Sequence, residues 1–231
     1  MFVSDNLHSG HRDRLRKKFL DNGFDGMEPH EALELMLFYA IPRKDTNPIA
    51  HKLLIDFGSL SAVLDAPIDK LKESGLSENC AIYLNMLPHI CRMYMDDRHN
   101  NKEKIIDIDN VGEKVKHKFL GRNYEAVVLL LLDTKLKEVY CGVINKGSVS
   151  ASEIYIRKVI ELAVAYNARY AVLAHNHPSG LALPSNDDIA TTQRVYNALK
   201  LINVSLVDHI IVADDDYVSL RDAGFMEEYI E

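Results

Sequence analysis

The chain has 231 residues, 47% of them apolar and 26% charged, with a formal net charge of −7. That length admits one large or two small globular domains, and the acidic balance argues against a protein that coats nucleic acid nonspecifically. No uninterrupted apolar run exceeds seven residues, which is too short to span a membrane.

The first hundred residues read as helical. Residues 11–20 carry Arg12, Arg14, Arg16, Lys17 and Lys18, five basic side chains within seven positions. Residues 31–40 follow, with Leu33, Met36, Leu37 and Phe38 forming a broad apolar face, and Pro42 ends the helix. Asn47-Pro48 opens a third helix over 49–57, closed by Gly58. Residues 59–64 and 68–73 are short helical pieces, and residues 77–95 close the set with Ala81, Leu84, Leu87 and Cys91 at helical spacing. The polar stretch 96–104 is expected as a linker, giving domains of 1–100 and 101–231.

Beyond it the pattern changes. Residues 110–120 form a short amphipathic helix. Residues 124–133 are too apolar for an edge and read as a buried central strand. Asp133-Thr-Lys135 turns it into a second strand, 137–145, as a hairpin. A helix over 152–167, a strand over 170–175, a long helix over 185–202, a strand over 204–212 and a short strand over 217–220 complete an α/β or α+β unit with a central sheet. The N-terminus shows no basic segment followed by an apolar core, so no secretory signal is expected. The three cysteines, Cys80, Cys91 and Cys141, are scattered and odd in number. That favours reduced thiols in a cytoplasm over a disulfide framework.

The chemistry concentrates at the end of the 170–175 strand, where the chain reads His175-Asn-His177-Pro-Ser-Gly. Side chains two apart on an extended strand share one side, so the two imidazoles can meet at one point. Asp187 or Asp188 can close on the same point, and two His with one carboxylate and an open position is the ligand set of a catalytic zinc. Each feature also has a plainer explanation. Two histidines at a strand end can simply hydrogen-bond within a loop. Ser185-Asn-Asp-Asp188 is a helix-capping pattern, and a serine N-cap contributes about 1 kcal/mol in its own right. The two roles are compatible, because the first turn of a helix is a rigid mount for a carboxylate. Asp187 would point about 100° around the helix from Asp188.

The order His-x-His, seven residues, Ser, two residues, Asp resembles the JAMM signature of JAB/MPN metalloproteases, and His-Asn-His-Pro-Ser-Gly with Pro-Ser-x-x-Asp resembles its RadC-like (UPF0758) branch. Leu132-Asp-Thr-Lys135, Gly147-Ser148, Ile156-Arg157 and Asp208-His-Ile-Ile211 are similar as well, so the resemblance covers residues 102–226. It implies a cytidine-deaminase-like sheet flanked by helices, and one zinc per chain on His175, His177 and Asp188. It also implies a catalytic glutamate at the start of the first buried strand, where Glu125 stands, with Glu138 and Glu153 in more polar stretches as alternatives. A carboxylate leading into so apolar a strand calls for an explanation in itself. On this pattern a zinc-bound water is the nucleophile, Glu125 is the general base, and Ser185 donates its hydroxyl to the tetrahedral oxyanion. Asn176 and Ser179 shape the loop. Asp208-His209 is a candidate partner for the outer nitrogens of the ligand histidines. Arg157 is expected on a surface helix face and Cys141 as a small buried hydrophobe. Zinc deaminases share a related sheet, but their Pro-Cys-x-x-Cys is absent.

The first hundred residues are similar to the region preceding the RadC-like domain, itself related to helix-hairpin-helix DNA-binding modules. Here the hairpin reads Ser74-Gly-Leu-Ser77 with Glu78 beside it, and residues 1–100 hold 12 Lys and Arg against 15 Asp and Glu, a net −3. The sequence therefore points to a cytoplasmic metallohydrolase acting on a protein or peptide, with weak DNA binding at most. The alternative is a repair- or recombination-associated accessory protein whose metal site is vestigial or turned to another bond.

Overall fold

The computed structural model describes residues 10–99, 105–147, 153–178, 180–214 and 216–226. By its internal contacts the chain divides into two compact units, Met1–Ile90 and Cys91–Glu231.

In the first unit, α1 (His11–Asn22), α2 (Pro29–Ala40), α3 (Asn47–Phe57), α4 (Leu60–Asp65), α5 (Ile68–Glu73) and the start of α6 (Glu78–His99) follow the apolar spacing. Leu33, Leu37, Leu53, Val63, Leu71, Cys80, Ala81 and Leu84 form its core. Helix α2 begins two residues earlier than its apolar face requires, because Glu28 and Glu31 form a reciprocal capping box and Pro29 occupies the first turn. Of the five basic residues on α1, three are engaged within the unit. Arg12 donates to the carbonyls of Ile41 (2.7 Å) and Lys44 (2.6 Å) just beyond the end of α2, Arg16 pairs with Asp13, and Lys18 pairs with Glu31.

The division falls before the polar stretch expected as a linker, and α6 continues through Asp96 to His99. Nothing from Met95 to His99 breaks a helix, and Asp96 accepts from His117 (2.9 Å) and Lys118 (2.7 Å) of the second unit, to which it belongs. Residues 100–104 lie outside the described residues.

The second unit is α+β. Its sheet has the order β2-β1-β3-β4-β5, with β1 Ala126–Leu132, β2 Glu138–Lys146, β3 Tyr170–Asn176, β4 Ser205–Ala213 and β5 Asp216–Ser219. Only β3 and β4 are parallel, which requires the crossover helix α9 (Asn186–Lys200) between them. The β1–β2 hairpin turns on Asp133, whose Oδ1 accepts from the Lys135 and Lys137 amides.

Strand β1 is central and buried throughout because both faces are covered. Val127, Leu129 and Leu131 pack with Val159 and Ala163 of α8 (Glu153–Ala165) and with Val195 and Leu199 of α9. Ala126, Val128, Leu130 and Leu132 pack with Val111 and Val115 of α7 (Val111–Lys116) and with Phe119. The amphipathic segment expected over 110–120 is a short α-helix flanked by single 3-10 turns.

This layering makes Leu131, paired with Ala171 at the far end of β3 from His175, a stability determinant. Leu131→Ala leaves a cavity between β1 and its helices and should lower stability by about 2–5 kcal/mol. Loss of sheet circular dichroism on heating or in urea measures it.

Candidate metal centre

The ends of β1, β3 and α9 meet at one place. His175, the penultimate residue of β3, pairs across the sheet with Val127 and is fully buried. His177 lies one residue beyond the strand, yet its N–H still donates to the Val212 carbonyl (2.8 Å), so the β3–β4 pairing carries through it. Between them, Asn176 faces the other way. Its Oδ1 accepts from the Ala126 amide (2.8 Å) and its Nδ2 donates to the Tyr124 carbonyl (3.1 Å). This amide fixes the backbone on both sides of Glu125, and the Glu125 carbonyl accepts from Gly147 N–H (2.7 Å). The β1–β3 register ends at Val127 and His175; Glu125 stands two residues before it, partly buried, and its carboxylate is not part of the cluster that His175, His177 and Asp188 form.

The carboxylate comes from the first turn of α9. Ser185 is the N-cap and forms a complete capping box with Asp188. Asp188 Oδ2 accepts from Ser185 N–H (2.8 Å) and Ser185 O–H (2.6 Å), while Ser185 Oγ accepts from Asp188 N–H (3.2 Å). Asp187 is exposed and outside the cluster.

His175, His177 and Asp188 form the one group of metal-capable side chains found among the described residues, their ligand atoms all within 4.8 Å of one another. The His175 and His177 Nε2 atoms are 3.0 Å apart, His175 Nε2 is 3.1 Å from Asp188 Oδ1, and His177 Nε2 is 3.6 Å from Oδ2. Tetrahedral ligands with zinc bonds of 2.0–2.1 Å stand about 3.3–3.4 Å from each other. The observed spacings, taken to one or the other oxygen of Asp188, lie on either side of that value, so the donor set is of the type and size that zinc takes. His177 Nδ1 faces the Leu181 carbonyl at 3.1 Å, to which it can only donate. Its Nε2 therefore carries the lone pair of the neutral ring.

Burial works against charge on Asp188, but hydrogen bonds from His175 and Ser185 outweigh it and hold the carboxyl well below the usual range. His175 Nδ1 meets His209 Nε2 at 2.8 Å, and His209 Nδ1 meets Thr192 Oγ1 at 2.6 Å. Burial, followed by the neighbouring His175, pushes His209 well below the ordinary histidine value, so it is neutral.

The Asp208-His209 pair is split by strand alternation. His209 turns to His175. Asp208 turns to the β4–β5 side and accepts from Ser219 Oγ (2.7 Å), the Arg221 amide (3.2 Å) and the His209 amide (2.7 Å). Burial raises its pKa, which these bonds only partly offset. Thr192 was not singled out by its sequence context, although it stands one helical turn after Asp188 and donates to that residue's carbonyl (2.7 Å).

The other candidates lie apart from the cluster. Glu138 pairs with Lys114 (2.8 Å), and Arg157 is exposed and pairs with Glu161 on its own helix. Cys141 is partly buried, its thiol pushed up to about 11 chiefly by desolvation. Ser179 and the Glu153 side chain lie outside what the structure describes.

The family model of the RadC-like JAB domain matches residues 105–225. The UPF0758 protein FN0909 of Fusobacterium nucleatum subsp. nucleatum is 34% identical over 232 residues, spanning 97% of this chain and 100% of its own.

Asn176 contributes no ligand atom, so its role can be separated from metal binding. Asn176→Ala strands the Ala126 amide and the Tyr124 carbonyl and should cost about 1–3 kcal/mol. Urea titration of the variant beside the native chain reads this loss.

Proposed function

The chain belongs to the RadC-like family of JAB-domain proteins, and we propose that it is a zinc-dependent metallohydrolase that cleaves a peptide or isopeptide bond. The observation that carries this reading is the convergence of two imidazole nitrogens and one carboxylate at zinc-ligand spacing; Glu125 leads into the strand that pairs with His175. Among the described residues no helix is long and apolar enough to cross a membrane.

His175 Nε2, His177 Nε2 and Asp188 would hold the ion. Bound there, zinc supplies a Lewis acid and lowers the pKa of a coordinated water towards about 7. Glu125 acts as the proton carrier: its carboxylate takes a proton from the attacking water and returns it to the departing amine. Its backbone is held by Asn176 and Gly147, which supports this role.

Ser185 is suited to a second task. Its hydroxyl is directed at Asp188 Oδ2, but the Ser185 amide makes an independent bond to the same oxygen. The hydroxyl can therefore turn to a developing oxyanion while the amide keeps the cap closed, and Ser185 Oγ can still accept from Asp188 N–H. One such donor is commonly worth about 10²-fold or more in rate.

A role on DNA has less support, since Arg12, Arg16 and Lys18 are engaged within their own unit. The peptide bond as target rests on the family alone, because ligands specify a reaction type more closely than a substrate.

Metal analysis of the purified protein should find one zinc per chain, and His175→Ala with His177→Ala should abolish it. A zinc-free native protein, or unchanged content in the double variant, overturns the reading. Glu125→Gln should keep the metal while turnover of a fluorogenic peptide library falls at least about 10²-fold. Undiminished turnover would remove Glu125 from the mechanism.

A further inference from the structure

We propose that Thr192 and His209 are a positioning pair that selects the tautomer in which His175 can bind a metal. The inference rests on the ligand assignment above, and its geometry lies wholly in the second unit.

The argument is a count of protons. The Asp188 carbonyl can only accept, so Thr192 gives it the single hydroxyl hydrogen (2.7 Å). With that hydrogen committed, the 2.6 Å contact between Thr192 Oγ1 and His209 Nδ1 needs the hydrogen of the ring nitrogen. His209 is fully buried, and among the described residues its ring nitrogens bond only to Thr192 and His175. A buried imidazolium without a directly bonded carboxylate is costly, so the ring is neutral and its Nε2 is bare. His175 must then supply the hydrogen of the 2.8 Å contact from its Nδ1. Nε2 is then the nitrogen that faces His177 Nε2 and Asp188 Oδ1, and the hydrogen it lends to Asp188 is the one a metal displaces into solvent.

The chain of hydrogens thus runs one way, from His175 through His209 and Thr192 to the backbone carbonyl of Asp188. It joins one ligand on β3 to another on α9 by way of β4. Reversal would move the His209 hydrogen to Nε2 and force His175 to accept at Nδ1. The His175 hydrogen would then occupy Nε2, the ligand position. A threonine hydroxyl tied to a carbonyl prevents this, because it has no second hydrogen to offer His209.

Removing the hydroxyl releases the choice. In Thr192→Val a forward-oriented His209 would leave a buried N–H against a methyl group, whereas the reversed orientation leaves only an unfilled acceptor, the better tolerated of the two. Thr192→Ser keeps the hydroxyl.

The test is long-range proton–nitrogen NMR of the full chain, labelled at histidine and stripped of metal, together with titration by Zn2+. In the native protein and in Thr192→Ser, His175 and His209 should both be protonated at Nδ1. In Thr192→Val rings protonated at Nε2 with a bare Nδ1 should appear, and zinc affinity should fall about 10–100-fold. A Thr192→Val protein with both rings still protonated at Nδ1 and with native zinc affinity overturns the proposal, as does a native His175 without a hydrogen at Nδ1. If the native chain takes up no zinc, the hydrolase reading fails, while the ring-nitrogen signals still decide whether Thr192 sets the tautomer.

Discussion

The site depends on the side-chain amide of Asn176. Backbone pairing along β1 and β3 runs out where the chemistry has to be placed, and Asn176 extends it by supplying a donor and an acceptor from a side chain. Because neighbouring residues on a strand face opposite ways, an asparagine between two ligand histidines can bond to the next strand without competing with them. The same bonds hold the backbone that carries Glu125. One residue thereby ties the histidine-bearing end of β3 to the backbone that leads into β1.

The carboxylate of Asp188 serves two purposes with different lone pairs. Oδ2 closes the N-terminus of α9, where a negative charge also meets the positive end of the helix dipole. Oδ1 faces His175 Nε2 at 3.1 Å. The helix-capping explanation of Ser185-Asn-Asp-Asp188 therefore holds at the level of atoms, and it is compatible with the metal-binding one because Oδ1 still faces His175.

Much of this was legible in the chain. The seven apolar residues of β1 declared a strand covered on both faces, and the spacing of His175, His177 and Asp188 declared a cluster that the fold assembles. The family-like spacing from His177 through Ser185 singled out Asp188 over Asp187, and the structure leaves Asp187 exposed. What stayed hidden depends on partners far apart in sequence. Asn176 meets residues about fifty positions upstream, and His209 meets Thr192 only because β4 lies beside β3 under α9. Asp208 and His209, adjacent in sequence, look like one functional pair until strand alternation sends them to opposite sides. The end of α6 was hidden for a different reason: a polar run without a helix breaker looks like a linker unless its tertiary partners, here His117 and Lys118, are known.

Structural zinc sites draw their folding energy from the ion, and their apo forms are unfolded. Here each ligand-bearing segment is held by contacts that leave the ligand atoms aside. His177 is fixed by the Val212 and Leu181 carbonyls, His175 by His209, and Asp188 by the capping amide and by Thr192. Behind them stands a sheet whose core residues are apolar on both faces. On the proposed reading, three protein ligands would leave a tetrahedral position open, as at a catalytic zinc and unlike a structural one.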